Sequence, residues 1–125
     1  MTEEQIREYL KARGYGEVVW QGGSERLIER WKEFVGKVEK EGYTRNWLID
    51  DYWIFLDGRE LIHDVGCDDR VMEADERLRS ILTATDIKHR HQDRNSDYDF
   101  WNYGYPQNAT GFFFEQIKYH ILKQP

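Results

Sequence analysis

Residues 47–65, WLIDDYWIFLDGRELIHDV, form the most apolar stretch of a hydrophilic chain, and their reading decides the fold. Two readings compete. Asp57-Gly58 lies between the apolar runs Tyr52–Leu56 and Leu61–His63, and an Asp-Gly pair is a strong hairpin-turn signal because both central residues take positive φ. A half-buried strand alternates inward and outward residues, however, and Trp53, Ile54, Phe55 and Leu56 are apolar in succession. Against a helical template, Leu48, Tyr52, Phe55, Arg59 and Ile62 recur at spacings of four and three, with Ile49, Leu56 and Val65 widening the stripe. A glycine inside a helix costs about 1 kcal/mol relative to alanine, which a buried aromatic face absorbs. The stretch therefore reads as an amphipathic helix. The resulting fold class is mainly α: a single domain, 1–125, of about five helices with one long ordered aromatic loop. The alternative is α+β, with a small hairpin at 52–63.

The flanking sequence continues the helical pattern. Ahead of the central stretch, Ser24 opens the clearest amphipathic run: Leu27, Ile28, Trp31, Phe34, Val35 and Val38 share one face and charged residues cover the other. Thr2 with Gln5 forms a capping box for a first helix that carries Ile6, Tyr9 and Leu10 and ends at Gly14 and Gly16. Between these, Glu17–Gln21 reads as a short strand or extended connector before Gly22-Gly23. After the central stretch, Asp68 or Asp69 caps a helix running to about Thr85, with Val71, Asp75, Leu78 and Leu82 on one face and Met72 and Ile81 flanking it. Residues 86–111 lack periodicity but contain Tyr98, Phe100, Trp101, Tyr103 and Tyr105. Five aromatics in eight residues mark an ordered loop rather than a linker. A final helix is expected at 111–122, with Phe113, Phe114, Ile117 and Ile121 as its buried stripe.

Composition narrows function more than it identifies one. The 125 residues carry 39% hydrophobic, 15% aromatic and 34% charged side chains, enough for one well-filled core inside a solvated surface. The one cysteine, Cys67, permits no internal disulfide and suits a reducing compartment. The opening MTEEQIREYLK has no apolar leader, and no apolar run approaches the roughly 18 residues that span a bilayer. These features point to a cytoplasmic protein with no membrane partner. The charge of −6 is localised: residues 50–79 hold ten acids against four bases, and the rest of the chain is neutral. An acidic middle disfavours nucleic acid, whose phosphates require a basic face, and favours a basic protein partner through steering and complementarity. As a solvated helix face, the same charge would serve only to keep the chain soluble.

No set of residues makes a recognisable catalytic constellation. The sequence has no phosphate-binding glycine loop, no nucleophile elbow and no helical zinc motif. His89-Arg90-His91 with Asp93 comes nearest to a metal site, since alternate residues of an extended chain project to one side and imidazole with carboxylate suits zinc, manganese or iron. Arg59 is the oddest residue by pattern. It falls inside the apolar stripe, where a guanidinium must be paired and fully hydrogen-bonded. Asp75, on the apolar face of the following helix, is its first candidate partner and Asp86 the second, in an ion pair that fixes helix register. An anion clamp is the functional alternative.

The leading expectation is a small acidic non-catalytic protein-binding module, of the kind inhibitors and immunity proteins are. Its candidate binding residues are Asp50, Asp57, Glu60 and Asp64 on the central face and Tyr98, Trp101, Tyr103 and Tyr105 in the aromatic loop. No cofactor is expected. The alternative is a small metal-dependent hydrolase using His89, His91 and Asp93, and a homodimer with a structural role is a third reading. The order Gly22-Gly23, Leu27, Trp31, Gly42-Tyr43 and Arg59 resembles small bacterial proteins in general, and no functional residue is carried over from that resemblance.

Overall fold

The computed structural model describes residues 1–43, 46–84, 87–89 and 105–106, with side chains described at 1–43 and 54–84. Within them the protein is mainly helical. Helix α1 spans Glu3–Ala12, α2 Glu17–Glu41, α3 Asn46–Asp64 and α4 Met72–Ala84, with a 3-10 turn at Asp68–Arg70 between α3 and α4. Two short segments, β1 (Ile87–His89) and β2 (Tyr105–Pro106), pair antiparallel with Ile87 opposite Pro106 and His89 opposite Tyr105. The helix expected at 111–122 and most of the aromatic loop lie outside the described residues.

The central stretch is one continuous helix through Asp57-Gly58. The hairpin at 52–63 is not formed, because the apolar residues follow helical rather than alternating spacing. Leu56, Arg59, Leu61 and Ile62 of α3 are buried, as is Val65 just after it. Two other local readings change. Val18–Trp20 belongs to the first turns of α2 and is neither strand nor connector. The start of the amphipathic run is set by Gly23, not by Ser24 capping alone. Gly23 interrupts α2 at φ +59° and ψ −146°, a conformation essentially reserved for glycine.

That break is fastened from α1. The Ser24 backbone N–H donates to Glu3 Oε2 at 3.3 Å, and its hydroxyl donates to Glu3 Oε1. Arg7 Nε also donates to the Gln21 carbonyl at 3.1 Å. Glu3 thus supplies from another helix the acceptor that a freshly started helix needs for its orphan N–H groups. α1 begins with the Thr2–Gln5 capping box and ends where Gly14, at φ +86°, lets Tyr15 N–H reach back to Leu10 O and its own N–H reach Lys11 O. These paired bonds close the helix as a Schellman motif and direct the chain into α2.

The packing hub is α2, which contacts α1, α3 and α4, whereas the central stretch α3 is one of three helices laid against it. Its stripe Leu27, Ile28, Trp31, Phe34, Val35 and Val38 is buried throughout. Ile6 and Leu10 of α1, Leu56 and Ile62 of α3, and Leu78 and Leu82 of α4 complete the core. The Phe34 and Phe55 rings stack with centroids 4.3 Å apart, adding an aromatic contact between α2 and α3.

Candidate functional site

Two features stand out: a buried charged network that holds the helices together, and a cleft beside it that opens to solvent. The network centres on Asp75 in α4. Its Oδ1 accepts from Trp31 Nε1 at 2.8 Å and from Arg59 Nε at 3.0 Å, and its Oδ2 accepts from Arg59 Nη2 at 2.7 Å. Arg59 and Asp75 are each 3% exposed. The second arm of the guanidinium, Nη1, meets Asp68 Oδ1 at 2.7 Å in the 3-10 turn, and Asp68 Oδ2 lies 2.7 Å from His63 Nδ1. The network therefore runs from solvent at His63 through Asp68 and Arg59 to Asp75 and the indole of Trp31, joining α2, α3, the turn and α4. A forked guanidinium suits this double carboxylate pairing, where a lysine ammonium would act as a point charge.

The structure thus brings together Arg59 and Asp75, the pair read from the sequence. The third member, Trp31, is legible in the sequence only as a core residue. A buried indole N–H needs an acceptor, and Asp75 is the acid placed on an apolar helix face, so the signal that joins them is present in the pattern. Asp68, read as a helix cap, instead pairs with Arg59. Asp75 is met by three N–H donors, which leaves its carboxylate poorly placed to take a proton from a substrate. Its role is to hold the fold.

The cleft has a volume of about 190 Å³ and opens between the start of α2 and the middle of α3. Its apolar wall includes Val19 and Leu27 from α2 and Ile54, Phe55 and Leu61 from α3, with Gly58 also lining it. An apolar cavity of about 150 Å³ holds a benzene-sized molecule, and drug-sized ligands occupy about 300 Å³ or more. The cleft accordingly has room for one large side chain rather than a cofactor. Tyr15 and Ile54, two of the large hydrophobic residues left exposed, line it.

Next to the cleft and sharing Tyr15, Asp57 and Leu61 with it lies a shallower groove lined by Arg13, Glu60 and Asp64. Asp57, Glu60 and Asp64 sit at helical spacing of three and four on α3, so three of the expected binding residues share this rim. Two arginines also face these hollows. Arg30 lies over the Phe55 ring, 5.9 Å from its centroid, and Arg13 lies over the Tyr9 ring at 4.9 Å. Burial, followed by the nearby Asp57 charge, pushes the Tyr15 phenol above its ordinary range, so the hydroxyl stays protonated at the mouth of the cleft.

The remaining expected site residues fall where the structure describes no side chains. Asp50 lies on α3 within the segment whose side chains are not described. Tyr98, Trp101, Tyr103, His91 and Asp93 fall outside the described residues, and of His89 and Tyr105 only the backbone pairing is described. Among the described residues, no group of three His, Cys, Asp or Glu is arranged to hold a metal ion, and no helix is long and apolar enough to cross a membrane. Fold and cleft together define a small helical bundle with an apolar hollow that Asp57 and Arg30 border. Compared with protein families, curated proteins and solved structures, the chain matches none.

Proposed function

We propose that the chain is a non-catalytic protein-binding module that presents the acid-rimmed face of α3 to a basic protein, in a cytoplasmic setting. One observation carries this reading: Asp57 lines an apolar cleft with room for a single side chain, and Glu60 and Asp64 line the groove that adjoins it. Interfaces draw most of their energy from a few side chains seated in such pockets, with polar rims that set orientation and partner choice. Each rim ion pair contributes only about 0.2–1 kcal/mol, so the acids act chiefly on association rate and discrimination. The role is that of an inhibitor or immunity-type protein, which occupies a partner's surface without performing chemistry on it.

The test compares the wild-type chain with a triple variant, Asp57→Asn, Glu60→Gln, Asp64→Asn, as baits in an extract of the native host at low salt. The expected result is one or more basic proteins retained by the wild type, lost with the variant, and eluted between about 50 and 300 mM salt, as screening shortens the Debye length below about 10 Å. Retention that ignores the three acids, or no retained protein at all, overturns the proposal. Asp64 is exposed and Asp57 and Glu60 are half-buried, so the melting temperature of the variant is measured alongside, and loss of the partner counts only where the variant remains folded at the temperature of the experiment.

A further inference from the structure

Two hydrogen-bond donors in the cleft between α2 and α3 have no acceptor among the described residues. Arg30, half-buried in the wall, lies over the Phe55 ring, a contact that supplies no acceptor oxygen. Tyr15, at the mouth, makes no side-chain hydrogen bond among the described residues, and burial together with the Asp57 charge keeps its hydroxyl protonated. Around these donors the wall is apolar, with Val19, Leu27, Phe55 and Leu61. Gly58 adds space, since nothing stands within 4 Å of the position a Cβ would take there. Asp57 also lines the cleft and already has a partner. A small apolar hollow with a few convergent polar groups is the usual form of a binding site.

We infer that the cleft seats one tyrosine side chain of the partner, its ring among Val19, Phe55 and Leu61 and its hydroxyl oxygen accepting from Arg30 and Tyr15. This seat rests on the partner-binding role proposed above and specifies its anchor. Other side chains fit less well. A lysine or arginine would meet the like charge of Arg30, and an aspartate or glutamate that of Asp57, and such juxtapositions are costly at an interface. Phenylalanine or leucine would fill the apolar space, but the donors of Arg30 and Tyr15 would lose water and gain no acceptor. Tryptophan is bulkier, and its indole only donates. The short polar side chains have no body to bury against the apolar wall. Tyrosine joins a ring of benzene size, which about 150 Å³ of apolar space accommodates, to an oxygen that accepts as well as donates. A cleft of about 190 Å³ holds that ring with its hydroxyl. Tyrosine is also among the side chains that most often carry binding energy, with an apolar body and a tip that stays near water.

Small ring probes of similar size test the seat before any partner is known. Wild-type chain labelled with 15N is titrated at pH 7 with p-cresol, toluene, benzylammonium and benzoate, following amide shifts. Saturable shifts are expected at Gly58, Leu61 and Tyr15. p-Cresol should bind roughly threefold to tenfold more tightly than toluene, the size of one net hydrogen bond, and both charged rings more weakly than p-cresol. Arg30→Met with Tyr15→Phe should bring p-cresol down to the toluene level. Gly58→Leu, which places a side chain in the cleft, should abolish the shifts while the indole resonance of Trp31 stays in place. The tyrosine seat is overturned if p-cresol binds no more tightly than toluene, if either charged ring matches it, or if its shifts survive Gly58→Leu. The wild-type series decides the matter even if a variant fails to fold. The outcomes also separate the two proposals. Acid-dependent partner capture that a folded Gly58→Leu leaves intact keeps the binding role and removes the anchor. Selective p-cresol binding without any acid-dependent partner removes the binding role and leaves the cleft's preference standing.

Discussion

Asp75 shows most directly how single residues carry this fold. It is a buried carboxylate with three donors from two other helices, and removing it strands Arg59 in the interior with Asp68 as its remaining described partner. Breaking one side of such a pair typically costs about 3–5 kcal/mol, whereas replacing both partners with apolar residues of similar volume is often near neutral. Asp75→Ala should therefore lower the unfolding free energy by about 3 kcal/mol or more in urea titration, and Arg59→Met with Asp75→Leu should recover part of that loss, the Trp31 indole N–H losing its Asp75 acceptor in both. A double replacement as damaging as the single one would mean that the network does more than satisfy its own charges. Tyr15 supplies the corresponding pH prediction. Its phenol is raised by burial and by Asp57, so the folded state favours the protonated form. The stabilisation this gives is fully present below the ordinary phenol value of 10.0 and is lost as pH rises through the higher folded value. Wild type should lose stability between pH 9 and pH 11 more steeply than Tyr15→Phe, as read from melting temperatures across that range.

At the scale of the elements, two glycines in neighbouring helices make opposite predictions. Gly58 has room for a methyl group in an interior helical position, so Gly58→Ala should stabilise the protein by about 0.5–1 kcal/mol. Gly23 sits at φ +59°, and a Cβ there would stand 2.5 Å from Glu3 Oε2. Gly23→Ala should cost about 1–3 kcal/mol and loosen α1, because the Glu3 carboxylate that fastens the break would have to move. Thermal unfolding of the two variants side by side checks both signs at once. These elements also show what the sequence makes readable. The stripe from Leu27 to Val38 and the capping box at Thr2 are local signals, and local hydrogen bonding and burial honour them. The identity of α3 is readable because four apolar residues in succession break strand alternation. The helical state of Val18–Trp20 is hidden, because Gly22-Gly23 reads as a turn, while the structure uses Gly23 as a kink fastened by a carboxylate from another helix. No local pattern announces a cap that arrives from 21 residues away.

For the whole molecule, the sequence conveys fold class and charge layout well and the site only in part. Charge localisation is additive along the chain, so the acidic middle can be counted from the residues alone. The cleft cannot, because it depends on how the start of α2 meets the middle of α3, and that meeting is set by the Gly14 turn and the Gly23 break acting together. Exposed Tyr15 and Ile54 belong to different parts of the chain and become neighbours only through this geometry. The stretch whose reading decides the fold class is not the packing hub, since α2, with its long apolar stripe, gathers the other helices around it.

The sharing of one carboxylate by Trp31 and Arg59 has a consequence for how this sequence could diverge. Changing Asp75 alone removes the acceptor that both donors use, and changing Arg59 alone leaves a buried carboxylate with only the Trp31 indole N–H among its described donors, so a change made in concert is the less costly route. Descendants of this chain should accordingly keep the tryptophan, the arginine and the aspartate as a single heritable unit, or exchange all three for hydrocarbon, while an exposed acid such as Asp64 drifts with whatever surface it faces.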